Sequence, residues 1–222
     1  RFQSVLVDPT GASFFLKWQD QPAFPIHINL LGAHQVSNAA TAFGALMVAK
    51  ESGFDWSMED LRKGFANLYW PGRLEYLPGK PPILLDGAHN PDAAAVLSKA
   101  LEGLFSDKKI LAVVGILKNK AIKEIAAHLG PRVQKVIATT VPDPKSATPA
   151  EIAEAFNSYG RPVVEIPEAL TALEYARTGA GDSELPDLLL ITGSLYLVGS
   201  LRPRILQSQA PTNSGGGLLR GP

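Results

Sequence analysis

The run Ile83-Leu84-Leu85-Asp86 leads straight into Gly87-Ala88-His89-Asn90-Pro91, and an Ala-rich stretch follows. A turn between a strand and a helix needs only the glycine. A carboxylate and an imidazole on the same few residues point to a ligand. Three further side chains belong with them by type: Arg73 in "WPGRLE", Asn38 in "HQVSNAATA" and Ser194 in "TGSLY". Arg73 is a permanently charged, planar donor fork suited to phosphate or carboxylate. Asn38 sits inside an Ala-rich helix pattern, where it forgoes propensity without an obvious local gain. Each has a plainer reading. Asp86 could solvate its turn, His89 could pack on its own helix start, and Arg73 could pair with Glu75. Asn38 could cap or pack, and Ser194 could be an ordinary N-cap. His27 and His128 read as structural.

Several chemistries are excluded by pattern. The absence of cysteine removes disulfides, thiolate metal sites and a Cys nucleophile, and fits a reducing compartment such as the cytoplasm. The histidines lack H-x-x-x-H spacing, so no metal site is expected in this chain. No G-x-S-x-G nucleophile elbow occurs. There is no G-x-x-x-x-G-K-[ST] and no G-x-G-x-x-G, so a phosphate-cradling loop is not encoded here. Balanced charges, 21 basic against 21 acidic, give no global pull toward nucleic acid or an anionic membrane, and no apolar run is long enough to span a bilayer. A monomer is expected.

The elements that must position these residues fall into two blocks. Residues 1–70 hold the strand-like pieces "QSVLVD", "ASFFLKW" and "FPIHINLLG", then a helix from His34 to Ser52 and another over "SMEDLRKGFANL", with Ser57 as N-cap. Three strands look too few for an independent sheet. Together with the opening on Arg1, they suggest the remnant of a larger unit whose N-terminal part is missing. The stretch 69–82, with four prolines and two glycines, reads as a boundary. Over residues 71–205, short continuous apolar strands alternate with helices, the signature of a Rossmann-like α/β fold: a mostly parallel sheet covered by helices on both faces. Asn90-Pro91 and Thr148-Pro149-Ala150-Glu151 mark helix starts. Residues 206–222, rich in Gly, Ser and Pro, read as a disordered tail. In such a sheet ligands bind beyond the carboxyl ends of the strands. Four polar strand ends would share that rim: 86–90, 117–120, 142–145 and 192–194.

Taken together, "LLGAHQVSNAATAFGAL", "WPGRLE", "ILLDGAHNPDAAAVL", "GILKNK" and "LLITGSLYLVGSLRP" resemble the folylpolyglutamate synthase/dihydrofolate synthase family of the Mur ligase superfamily. They stand in that family's order and approximate spacing. The family joins an N-terminal P-loop ATPase domain, with a magnesium-binding central region, to a C-terminal Rossmann-like domain. This chain resembles the end of the first and the whole of the second. The phosphate loop, the magnesium ligands and the modified lysine have no counterpart here.

The resemblance implies ATP-dependent joining of L-glutamate to dihydropteroate or a folate through an acyl phosphate, with ATP and Mg2+ handled jointly with the P-loop domain. By the same analogy Asn38 would bond adenine, Arg73 would reach the phosphates and Asp86 would accept from ribose hydroxyls. His89 would lie near phosphate and glutamate, and Ser194 would contact the glutamate carboxylate. Closure across 69–82 would bring Arg73, Asp86 and His89 onto the nucleotide. Two alternatives stay open: a peptidoglycan-precursor amino-acid ligase, and an α/β binding module without catalysis of its own.

Overall fold

The computed structural model describes residues 2–209. Two sheets organise the chain. The first is antiparallel, in the order β1 (Phe2–Asp8), β2 (Gly11–Leu16), β3 (Phe24–Ile28). In β2 alternate residues Ala12, Phe14 and Leu16 are buried while Ser13 and Phe15 face outward, the period-two pattern of a half-buried strand. The helices α1 (Ala33–Glu51) and α2 (Met58–Ala66) supply Val36, Phe43, Met47, Leu61 and Phe65 to the covered face. The two helices give the three strands the second layer that a bare three-stranded sheet lacks. Ser57 and Asp60 cap α2 reciprocally.

The second sheet has six strands in the order β4-β5-β9-β6-β7-β8. They are β4 (Glu75–Leu77), β5 (Ile83–Asp86), β6 (Ile110–Val114), β7 (Lys135–Ala138), β8 (Val163–Glu165) and β9 (Leu188–Thr192). β4 is antiparallel to β5, and all the other pairings are parallel. The expected Rossmann-like fold is what forms. Side chains of each central strand alternate between two apolar layers. Leu84, Ala112, Val114 and Leu190 point to one layer, with Leu97, Ile125 and Phe156. Leu85, Leu111, Val113 and Ile191 point to the other, with Leu173, Leu197 and Ile205. The first layer carries helices α3 (Pro91–Phe105), α4 (Ile122–Leu129) and α5 (Pro149–Asn157); the second carries α6 (Ala169–Arg177) and α7 (Leu195–Gln209). Both central faces are dry, which is why these strands read as uninterrupted Val, Ile and Leu.

Two expectations need revision. The Pro/Gly-rich stretch 69–82 is not a plain linker: it contains β4, and Leu74 and Glu75 are buried against the sheet. The helix α7 runs to Gln209, so the first residues assigned to the tail are helical. The rest of that tail, 210–222, lies outside the described residues.

Between β9 and α7 the chain turns on Gly193, with φ 101°, and a Cβ there would lie 2.6 Å from the Gly115 carbonyl oxygen. Gly193→Ala thus combines a left-handed backbone with a clash against main chain. It should cost about 2 kcal/mol or more, read as a lowered urea midpoint with an unchanged m-value; a midpoint equal to wild type would contradict the turn geometry.

Candidate functional site

The strand β5 is followed by α3 on one face of the sheet, and its neighbour β9 is followed by α7 on the other. A crevice must open between two such loops. A cavity of about 450 Å3 lies there, lined among others by His34, Trp70, Arg73, Asp86, His89 and Leu195. Three of the residues singled out from sequence, Arg73, Asp86 and His89, therefore share one cleft.

Asp86 is the anchor. Its carboxylate is 7% exposed and both oxygens accept main-chain bonds: Oδ1 from Ala88 N at 2.8 Å, Oδ2 from Leu74 N at 2.9 Å. The Gly87 N–H donates to the Gly72 carbonyl at 2.9 Å. One strand end thus fixes two loops, its own and the one carrying Arg73. Burial pushes the Asp86 pKa up, and the two N–H donors, Arg73 and His89 oppose that push. A Cβ at Gly87 would meet Leu195 Cδ2 at 2.2 Å, so any larger residue there would displace the exposed Leu195 side chain.

His89 bonds the Gly87 carbonyl through Nδ1 at 2.8 Å. A carbonyl can only accept, so Nδ1 carries the hydrogen, and in the neutral ring Nε2 keeps a free lone pair. Asn90 then caps α3, accepting from Ala93 N at 2.8 Å, with Pro91 in the first turn. The positive end of a 15-residue helix accordingly starts at the cavity wall.

Arg73 is exposed, with its guanidinium carbon 5.7 Å from the Trp70 ring centroid. Among the described residues it has no ion pair and no side-chain hydrogen bond; Glu75 pairs instead with Arg202. A cation stacked on an indole and otherwise unpaired in a cleft is built to receive an anion.

The other two candidates lie apart. Asn38 lines a separate apolar cleft of about 750 Å3 and donates through Nδ2 to Gln35 Oε1 at 2.9 Å. Trp70 borders both clefts. Ser194 is 2% exposed, and its Oγ accepts from Tyr196 N at 3.1 Å. It works as a helix-start cap, and the next residue, Leu195, reaches the cavity in its place. Nor does the whole rim converge: Lys118 pairs with Glu151 at 3.4 Å, and Asp143 accepts from Lys145 N at 2.7 Å, both off the cavity.

Sequence reasoning missed three residues here. Trp70 and His34 line the cavity; Gln35 is 3% exposed, with its Nε2 unpartnered among the described residues. The signal was available in the doublet His34-Gln35 at the start of α1, where a buried amide has no reason to sit in an amphipathic pattern.

The matched family model is the Mur ligase, glutamate ligase domain, over residues 72–195. The chain belongs to this family. The glutamate ligase domain match covers the cavity's Arg73, Asp86 and His89 together. Among curated relatives, the chain is 29% identical to the dihydrofolate synthase/folylpolyglutamate synthase of Bacillus subtilis over 89% of its length and 45% of that protein. It is 34% identical to the folylpolyglutamate synthase of Lacticaseibacillus casei over 88% of its length and 44% of that protein. The solved folylpolyglutamate synthase of Mycobacterium tuberculosis, complexed with ADP and AMPPCP, superposes with TM-score 0.79 at 26% identity, over 91% of this chain and 47% of that one. The chain thus spans about half the length of the relatives it matches, and the resemblance seen in sequence holds for the C-terminal portion of that family.

Burial first, and then the Arg73 cation, hold the His34 pKa below its usual 6.5. Between the folded value and 6.5 the unfolded chain binds the proton more readily, so stability is lost as pH falls through that window. His34→Gln should flatten the stability profile below about pH 6.5 and leave the alkaline side unchanged. Urea melts across pH would show it; an acid slope identical to wild type would refute this account of His34.

Proposed function

We propose that this chain is the C-terminal part of an ATP-dependent ligase joining L-glutamate to dihydropteroate or a (tetrahydro)folate, in the cytoplasm and as a monomer. One observation carries the reading: an exposed, unpaired Arg73 guanidinium shares a cavity with the Asp86 carboxylate and the free Nε2 face of His89. The relatives' names support the substrate class.

The reaction would run in two steps. A carboxylate oxygen of the pterin substrate attacks the γ-phosphorus of ATP, and the bond to the β-bridging oxygen breaks, releasing ADP and leaving an acyl phosphate. The amine of glutamate then attacks the acyl carbon. The tetrahedral intermediate collapses with loss of phosphate, and the amine proton passes to a base. Phosphoryl transfer of this kind needs positioning and charge neutralisation more than covalent help. Arg73 would neutralise phosphate charge. His89 would offer Nε2 as an acceptor near the incoming amine, beside the positive end of α3. Asp86 would present its remaining lone pairs to ribose hydroxyls, and Asn38, on the neighbouring cleft, would bond the adenine. Ser194, buried and capping the start of α7, would act on glutamate through the backbone it orders rather than by direct contact.

Among the described residues no group of three or more His, Asp or Glu side chains gathers as a metal site. The magnesium that the resemblance implies would be held by the nucleotide phosphates together with the P-loop domain, where it would neutralise phosphate charge. Likewise, none of the described helices is long and apolar enough to cross a membrane. The sheet domain would act as a closing half that excludes water from the acyl phosphate.

In the complete ligase, Arg73→Ala should lower kcat/KM for ATP about thirtyfold, matching the roughly 2 kcal/mol expected for one charge-assisted contact. Arg73→Lys should recover part of it. A loss smaller than about threefold in a normally folded Arg73→Ala enzyme would remove the assignment.

A further inference from the structure

Arg73 stands between two residues in the left-handed region, Gly72 at φ 69° and Leu74 at φ 45°. A leucine there is disfavoured, because its Cβ crowds the following carbonyl, and it persists only where its surroundings over-determine it. Part of that determination is the bond from Leu74 N to Asp86, already described. The rest lies outside the cavity. Gly72 N donates to Glu75 Oε2 at 2.8 Å, and Tyr69 Oη donates to Glu75 Oε1 at 2.8 Å. Arg202, on α7 and 127 residues along the chain, grips the same carboxylate. Its Nε lies 2.9 and 3.1 Å from the two oxygens and its Nη2 lies 2.9 Å from Oε1; Nη2 also donates to Tyr69 Oη. Glu75 is 9% exposed. Burial alone would raise its pKa, and Arg202, Gly72 and Tyr69 together bring it below the usual value, so the pair is ionised at neutral pH.

A buried ion pair is poor evidence of net stability, because desolvation offsets most of the attraction. What this pair does achieve is geometric. The Tyr69–Glu75 loop is bonded at Tyr69 and Gly72 to a carboxylate that α7 holds from the far side, and Arg73 is the charged side chain of that loop that has no ion pair among the described residues. We propose that Glu75 and Arg202 are positioning residues for Arg73, fixing the loop in the conformation that aims its guanidinium into the cavity. The inference rests on the reading that the cavity receives phosphate. It also moves any pivot between the two sheets to the N-terminal side of Tyr69, since the bonds to Glu75 and Asp86 tie the stretch 69–75 to α7 and the six-stranded sheet.

A double-mutant cycle in the complete ligase tests this. Arg202→Gln should lower kcat/KM for ATP at least tenfold in the parent enzyme, chiefly through KM, and less than twofold when Arg73 is already alanine. Equal losses in both backgrounds, or no loss in the parent, would overturn the proposal. Glu75→Gln should repeat the pattern. Arg202→Lys keeps the charge without the planar fork and serves where Arg202→Gln does not fold; it should show the same dependence on Arg73.

A separate readout needs no nucleotide. In the 222-residue chain, amide exchange at Gly72 should quicken at least tenfold in Arg202→Gln and Glu75→Gln, while amides of β6 keep their protection. Unchanged exchange at Gly72 would overturn the inference even if Arg73 proved essential. Quickened exchange with a fully active Arg73→Ala enzyme would instead count against the nucleotide reading, leaving the loop clamp standing.

Discussion

The site depends on one buried carboxylate. Asp86, the last residue of β5, holds Ala88 N with one oxygen and Leu74 N with the other. Either bond alone would be an ordinary strand-end turn. Together they join segments twelve residues apart and set the Arg73 loop against the His89 loop at the mouth of the sheet. Burying a carboxylate is unfavourable, which the raised pKa of Asp86 expresses, and two oriented N–H donors are what make it tolerable. The same geometry favours glycine at 72, where φ is 69° and a Cβ would lie 2.8 Å from Val198, and the two loops touch through the bond from Gly87 N to the Gly72 carbonyl.

A second carboxylate, Glu75, works on the opposite side of the same loop. The two differ in how their charge is compensated. Asp86 relies on backbone dipoles and lines the cavity, whereas Glu75 is spent on Arg202 and Tyr69 and is not among the residues that line it. Sequence adjacency suggested Arg73 and Glu75 as partners. The fold separates them, giving Glu75 a different arginine and leaving Arg73 free. That exchange turns a local ion pair into a positioned cation.

Much of the architecture was legible before any coordinates. The alternation from Pro82 onward states a parallel sheet with two covered faces, because only strands buried on both sides lack period-two polarity. The caps were readable too: Asn90-Pro91, Ser57, and Thr148 with Glu151 all cap their helices as expected. β4 was hidden. Prolines and glycines around a three-residue strand outweigh its local signal, and only pairing with β5 makes Glu75–Leu77 extended. The covered face of the small antiparallel sheet was hidden for a similar reason, since the side chains that close over it come from α1 and α2.

The sequence by itself determined which groups were available: an arginine in a Pro-Gly turn, an acid and an imidazole after a strand, an asparagine in a helix. It also determined the alternation that places strand ends on a common rim. Only the tertiary structure decided which of those ends meet. Leu195 fills the approach that Ser194 was expected to occupy, Lys118 is taken by Glu151, and His34 comes from the other sheet's helix into the cleft. Residue type and order are local properties, while the crossing from α3's face to α7's face is a property of strand order. Strand order follows from how two apolar layers close over one sheet, and no window of the chain contains it.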